Sequence, residues 1–150
     1  VFVGTRTKLD FLHLHLLPHA ARPPASPELS ALVRATLSAL NDANLTGNYS
    51  VLRDAAAPSF AERYTVADLA IAFATLRTSP HFAAAAHGTP VVTNALRASE
   101  TTIVLKGHVA ARPDQIGFDV QYEHIKGRWR LSALAVSLPT RTSANSSVRR

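Results

Sequence analysis

Residues 115–138, QIGFDVQYEHIKGRWRLSALAVSL, constrain the fold most, because side-chain character alternates with a period of two on both sides of one turn. Ile116, Phe118, Val120, Tyr122 and His124 share one face, and Gly117, Asp119, Gln121 and Glu123 share the other. With Lys126 and Gly127 as the two loop residues of a β-hairpin, His124 pairs with Trp129, Tyr122 with Leu131, Val120 with Ala133 and Phe118 with Ala135. All four pairs fall on the apolar side, while Glu123 meets Arg130 on the polar side. Lys-Gly is a weaker turn signal than Asn-Gly, which leaves a one-residue bulge open. A hairpin with one apolar face is marginal in water until another element covers that face.

The cover is supplied from upstream. Ser26-Pro27-Glu28 opens a helix with a hydroxyl, a proline at the first helical position and an acid facing the helix dipole. Behind it Leu29, Leu32, Val33, Leu37 and Leu40 form an apolar stripe, with Ser30, Arg34, Ser38 and Asn41 facing elsewhere. The run NDANLTGN predicts an end near Gly47, with Asn44 and Asn48 capping and turning the backbone. A second helix fits residues 49–57, with Tyr49, Leu52 and Ala56 on one side and Pro58 as its terminator. A third opens at the capping box Thr65-Val66-Ala67-Asp68 and buries Val66, Leu69, Ala70, Phe73 and Leu76, to about Arg77. Residues 78–87 read as a loop or short helical turn, and Pro90 to Thr93 as a short edge strand.

In residues 100–111, Ile103, Leu105, Gly107 and Val109 alternate with Thr102, Val104, Lys106 and His108, and Arg112-Pro113-Asp114 turns into the hairpin. Helices first and an antiparallel meander afterwards is an α+β layout: three N-terminal helices packed on a four-stranded sheet. The domain spans 26–139, between a flexible segment with a Pro-rich linker, 1–25, and a basic tail, 140–150, read as disordered.

Composition narrows the chemistry. The chain has 47% hydrophobic and 17% charged residues, as globular chains do, and no stretch long and apolar enough to span a bilayer. The +6 charge comes mostly from scattered arginines with no aromatic-interleaved basic run, so no nucleic-acid partner is expected. Without cysteine there is no disulfide, thiolate or Cys-type metal site. The domain holds no phosphate loop, nucleophile elbow or metal-spaced motif, so no cofactor and no metal are expected. Upstream, Arg6 and Lys8 precede an apolar run and then Pro18-His19-Ala20-Ala21, the order of a secretory signal, from which His13 and His15 depart. In a strand His13 and His15 point the same way and, with His19, suit a metal, but no carboxylate is fixed beside them. The three Asn-X-Ser/Thr sequences, at Asn44, Asn48 and Asn145, are read as chance.

The run ALNDANLTGNYSVLRD (39–54), Phe60, the helix from Ala67 to Arg77 and the closing GRWRLSALAV (127–136) resemble a group of small uncharacterised bacterial proteins. These are usually exported, and the group resembles the nuclear-transport-factor-2-like, or SnoaL-like, superfamily over about residues 29–139. The resemblance implies a cone in which three helices wrap a strongly curved sheet, a pocket inside the cone, and a periplasmic or otherwise exported location. It implies no single activity, since the superfamily holds binding domains beside isomerase- and hydratase-like enzymes with Asp/His or Asp/Tyr pairs.

Two constellations follow. Pairing the two long strands through residues 112–115 puts His108 across from Asp119, where a carboxylate fixes an imidazole for general-base work. Both lie on the polar face with Lys106, Gln121, Glu123 and Arg130, which favours a solvated surface pair and leaves no catalytic residue assigned. On the apolar face Tyr122, His124 and Trp129, with Tyr49, Phe60 or Phe73 above them, either fill the core or hold a small apolar ligand through a phenol and an imidazole. Leu134, Val136 and Val104 on the outer face suit a homodimer, as sheet-to-sheet pairing does in relatives of this fold. The expected function is a non-catalytic binding or interaction domain; the alternative is a small isomerase- or hydratase-like enzyme.

Overall fold

The computed structural model describes residues 26–110 and 115–138, together with Phe2–Val3. In order the elements are β1 (Phe2–Val3), α1 (Ser26–Thr46), α2 (Ser50–Ala55), α3 (Pro58–Arg63), α4 (Val66–Ala72), α5 (Ala74–Arg77), α6 (Pro80–Ala85), β2 (Pro90–Arg97), β3 (Thr102–Ala110), β4 (Gln115–Ile125) and β5 (Arg128–Ser137). The histidines His13, His15 and His19, the proline linker, the turn at Arg112-Pro113-Asp114 and the tail 140–150 lie outside the described residues. The fold is α+β, with helices preceding an antiparallel sheet of order β1-β5-β4-β3-β2 that does not close into a barrel. Four strands are long; the fifth is the two-residue β1, where Phe2 and Val3 pair with Ala135 and Leu134.

The hairpin turn is the one the alternation predicts. Lys126 and Gly127 have φ of 50° and 80°, the double positive φ of a type I′ turn whose twist matches the flanking strands. Ile125 pairs with Arg128, His124 with Trp129, Glu123 with Arg130 and Tyr122 with Leu131. Beyond that point the ladder departs from the expected register. Gln121 pairs with Ala133, Val120 with Leu134 and Phe118 with Val136, so Ser132 is an extra residue in β5. A straight ladder from Leu131 turns Leu134 and Val136 outward; one inserted residue returns both to the helix-covered side. Both are accordingly buried, Leu134 fully, and the outer face loses the two residues that suited it to a homodimer.

The β3–β4 register also differs. Pairing Arg112 with Gln115 leaves Pro113-Asp114 as a two-residue loop, and the favoured loops of that length need positive φ at their first position, which proline's ring forbids. Ala110 pairs with Gln115 instead, and the shift of two residues keeps every face: Ile103 meets Tyr122, Leu105 meets Val120, Gly107 meets Phe118 and Val109 meets Ile116. The edge strand β2 runs on to Arg97, past the expected end at Thr93, because a bulge between Val92 and Asn94 breaks its alternation.

The helical layer has more pieces than the expected three. α1 ends at Thr46, and Gly47 follows with φ of 71°, the left-handed position that ends a helix most cheaply with glycine. Val33, Leu37 and Leu40 are buried as expected; Asn41, expected to face away, is buried too. Asn48 turns the chain by accepting the Ser50 N–H at 3.1 Å, whereas Asn44 accepts from the buried Tyr49 hydroxyl. Pro58 does not only end α2: it is the first residue of α3, the helical position proline tolerates best. The Arg53 side chain ties the two by donating to the Tyr64 and Ala61 carbonyls at 2.9 and 2.8 Å, cations being favoured at a helix C-terminus. The expected third helix breaks at Phe73 into α4 and α5; Leu69, Phe73 and Leu76 are buried while Val66 is exposed. Residues 78–87, expected as a loop or a short helical turn, hold the six-residue helix α6, which Ser79 caps by accepting the Phe82 N–H at 3.3 Å.

The capping box of α4 is complete, with Thr65 Oγ1 accepting the Asp68 N–H at 3.1 Å and the Asp68 carboxylate accepting the Thr65 N–H at 2.9 Å. The bond from the Thr65 backbone, then that with its side chain, holds the Asp68 carboxyl below its ordinary value of 3.8. A folded value below the unfolded one means the contribution is present above that ordinary value and is lost as pH falls through the lowered one. Thr65→Ala is expected to cost about 1 kcal/mol of unfolding free energy at neutral pH, read by urea denaturation.

Candidate functional site

Where α1 and α2 pass the turn end of the β4–β5 hairpin, they leave a cleft of about 170 Å³ lined by Leu32, Ala35, Thr36, Ala39, Leu52, Ala55 and Ala56 from the helices and Tyr122, Trp129, Arg130 and Leu131 from the sheet. The alanines explain the gap: at Ala35 and Ala39 of α1 and at Ala55 and Ala56 at the end of α2 the side chain is too short to reach across. An apolar cavity of roughly 150 Å³ holds one benzene ring, so this cleft has the capacity of a single small ring.

Besides the Trp129 indole and the Arg130 guanidinium, its polar side chains are a hydroxyl pair. Thr36 lies one helical turn after Leu32 on α1, and its hydroxyl donates back to the Leu32 carbonyl at 3.0 Å. The Tyr122 hydroxyl, rising from β4, is 2.6 Å from Thr36 Oγ1 and 3.1 Å from the same Leu32 carbonyl. Burial pushes the Tyr122 phenol well above its ordinary value of 10, against the opposing hydrogen bond with Thr36. It therefore stays protonated through the neutral range and cannot serve there as a base or nucleophile.

Of the three expected ligand-binding residues, Tyr122 and Trp129 line the cleft and His124 does not. The His124 ring packs against Trp129, with centroids 4.9 Å apart and planes inclined at 60°, and its backbone N–H donates to the Thr101 carbonyl at 2.7 Å. The imidazole thus supports the indole. Tyr49, Phe60 and Phe73 are core residues away from the cleft; Tyr49 stacks on Phe73 at 6.4 Å, and Phe60 tilts against Tyr64 at 5.2 Å. The interior of the helix–sheet sandwich is packed by these rings together with Leu37, Leu40, Phe82, Ile116 and Val120, and the cleft lies at the hairpin end.

The His108–Asp119 pair is not assembled as expected. In the observed register Asp119 is opposite Lys106, whose Nζ is 3.9 Å from its carboxylate, and His108 is opposite Gly117. Among the described residues no group of three His, Asp or Glu side chains is placed to hold a metal ion, and no helix is long and apolar enough to cross a membrane. A second hollow of about 330 Å³ runs between Leu29 and Ser30 of α1 and residues 90–95 of β2, with no titratable side chain in its lining.

Sequence alternation reached Tyr122 and Trp129 but missed Thr36 and the alanine gap. The available signal was the spacing Leu32–Thr36–Leu40: a hydroxyl at four-residue intervals from two leucines sits on the apolar stripe and so demands a buried partner. No protein-family model matches the chain, and neither the curated proteins nor the solved structures include one significantly similar to it.

Proposed function

We propose that this protein is a non-catalytic binding domain that holds one small, largely apolar molecule in the cleft between α1, α2 and the β4–β5 hairpin. The observation that carries the reading is the lining itself: alanine and leucine side chains on the helices face an indole on the sheet, with a single hydroxyl pair and one guanidinium, Arg130, as the other polar groups. That is the composition of a ligand site, mostly apolar with few fixed polar groups. The resemblance to the nuclear-transport-factor-2-like superfamily and the α+β layout are in keeping with it, and export is proposed on that resemblance alone. The isomerase- or hydratase-like alternative has less to stand on. Its acid–histidine pair is out of register, and the phenol nearest the cleft is held neutral. A homodimer through the outer sheet face also has less support with Leu134 and Val136 turned inward.

Trp129 is the only tryptophan in the chain, so emission reports on this cleft alone. Titration with benzyl alcohol is expected to shift Trp129 emission saturably and, at ten times the dissociation constant, to stabilise the fold by about 1.4 kcal/mol. Ala39→Leu, which fills the gap, should abolish both responses while leaving the protein folded. An emission spectrum and a melting temperature indifferent to millimolar benzyl alcohol reject the binding function.

A further inference from the structure

The hydroxyl pair at the back of the cleft fixes which ligands the site accepts, an inference that rests on the binding function proposed above. Three oxygens meet there: Thr36 Oγ1, Tyr122 Oη and the Leu32 carbonyl, at mutual separations of 2.6, 3.0 and 3.1 Å. Two hydrogens are available to them, one on each hydroxyl. Two hydroxyl oxygens at 2.6 Å repel unless a hydrogen lies between them, so one hydrogen is committed to the Thr36–Tyr122 contact and the other to the Leu32 carbonyl. If Thr36 donates to Leu32, Tyr122 donates to Thr36; if Tyr122 donates to Leu32, Thr36 donates to Tyr122. Either way both hydrogens are used inside the triad, and what the triad leaves for an incoming molecule is lone pairs only. Burial keeps the phenol protonated, so its own ionisation does not alter this inventory in the neutral range.

We infer that the cleft is a site for a small ring compound bearing one hydrogen-bond donor, a cyclic or aromatic alcohol or amine, and that its hydroxyl pair discriminates against an ether of the same size. A donor ligand satisfies a lone pair of the Thr36–Tyr122 pair. An acceptor-only ligand brings its own lone pairs against those of the protein, leaves both unsatisfied and has lost its water. The rest of the lining does not distinguish an alcohol from an ether: Leu32, Ala35, Ala39, Leu52 and Leu131 give apolar contact, while the Trp129 indole N–H and the Arg130 guanidinium are donors to which either oxygen is an acceptor.

Benzyl alcohol and anisole are isomers of equal heavy-atom count that differ in this one property. Equilibrium titration of the full chain, followed by Trp129 emission and by thermal shift, is expected to give benzyl alcohol the lower dissociation constant by about tenfold. Tyr122→Phe, which frees the Thr36 hydrogen for Leu32 and removes the phenolic lone pairs, should narrow that ratio to about threefold or less while anisole binding is held or improved. Should Tyr122→Phe not fold, the isomer ratio in the unmodified protein decides by itself. Equal affinity for the two isomers overturns the donor selectivity and leaves the apolar site standing, whereas absence of binding by both removes the site and the inference together.

Discussion

Leu134→Ala is expected to lower the unfolding free energy by about 3–5 kcal/mol, the upper part of the range for a leucine truncated in a packed core. The argument turns on one residue. In an unbroken β4–β5 ladder Leu134 faces out and its truncation costs within about 0.5 kcal/mol. With Ser132 extruded, Leu134 pairs with Val120, has no exposed surface and joins the cluster that includes Leu37, Phe60 and Phe118. For a domain of this size the loss corresponds to a fall in melting temperature of about 10–20 °C. Val104→Ala, at a half-buried position on the opposite face, is the matched control and should cost about 1 kcal/mol or less. Guanidinium denaturation of both variants reads the difference. A Leu134→Ala loss no larger than that of Val104→Ala shows that the strand is straight and its outer face apolar, which restores the sheet-to-sheet homodimer.

The two registers show what alternation conveys and what it omits. From Tyr122 to the turn and back to Leu131 the pattern is uninterrupted, and each expected pair is present. An extra residue is invisible to a period-two count unless the pattern on its far side is allowed to restart. In LSALAV the restart is legible afterwards, since Leu131, Leu134 and Val136 cannot all share one face of a regular strand. Proline position carried similar information. Pro58 and Pro80 each stand at the first position of a helix too short to display a 3.6-residue period, so hydrophobic pattern alone did not reveal α3 and α6. In the α6 case the Ser79 cap before Pro80 was the readable sign.

The bulge has a cost that bears on its purpose. Ser132 Oγ is buried and has no hydrogen-bond partner among the described residues, a penalty of about 1–3 kcal/mol for a desolvated hydroxyl. One residue before it, the Leu131 carbonyl accepts the Ala57 N–H at 2.8 Å, which fixes the α2–α3 junction against the end of β5. Leu131 and Ala56 both line the cleft. The extra residue therefore sits where the strand must bend, increasing its local twist, and the same bend holds the helix that forms one wall of the site. The cleft is thus a product of two sequence features at once, the alanines of α1 and α2 and the inserted serine of β5.

Gly107→Ala is expected to be the more damaging of two glycine replacements on the same sheet. A Cβ at Gly107 stands 1.9 Å from the Val91 carbonyl oxygen and 2.8 Å from Phe118 Cζ. Val91 belongs to the edge strand, brought this close where β2 is bulged between Val92 and Asn94. The obstructing atom is backbone, so no rotamer change relieves it, and β2 must lift from β3 or the methyl must displace the core ring of Phe118. Ordinary overpacking costs about 1–3 kcal/mol; here the loss should reach about 3 kcal/mol or more, against a gain of only about 0.4–1 kcal/mol from restricting the unfolded chain. Gly117→Ala meets Ser137 Cβ at 3.3 Å, near the exposed end of β5, and should cost about 1 kcal/mol or less. Amide exchange separates the causes: Gly107→Ala should speed exchange in β2 before the rest of the sheet, because the clash is relieved by releasing that edge. If Gly107→Ala is as stable as Gly117→Ala, β2 does not cross β3 where this structure puts it, and the second hollow beside α1 loses the strand that forms its wall.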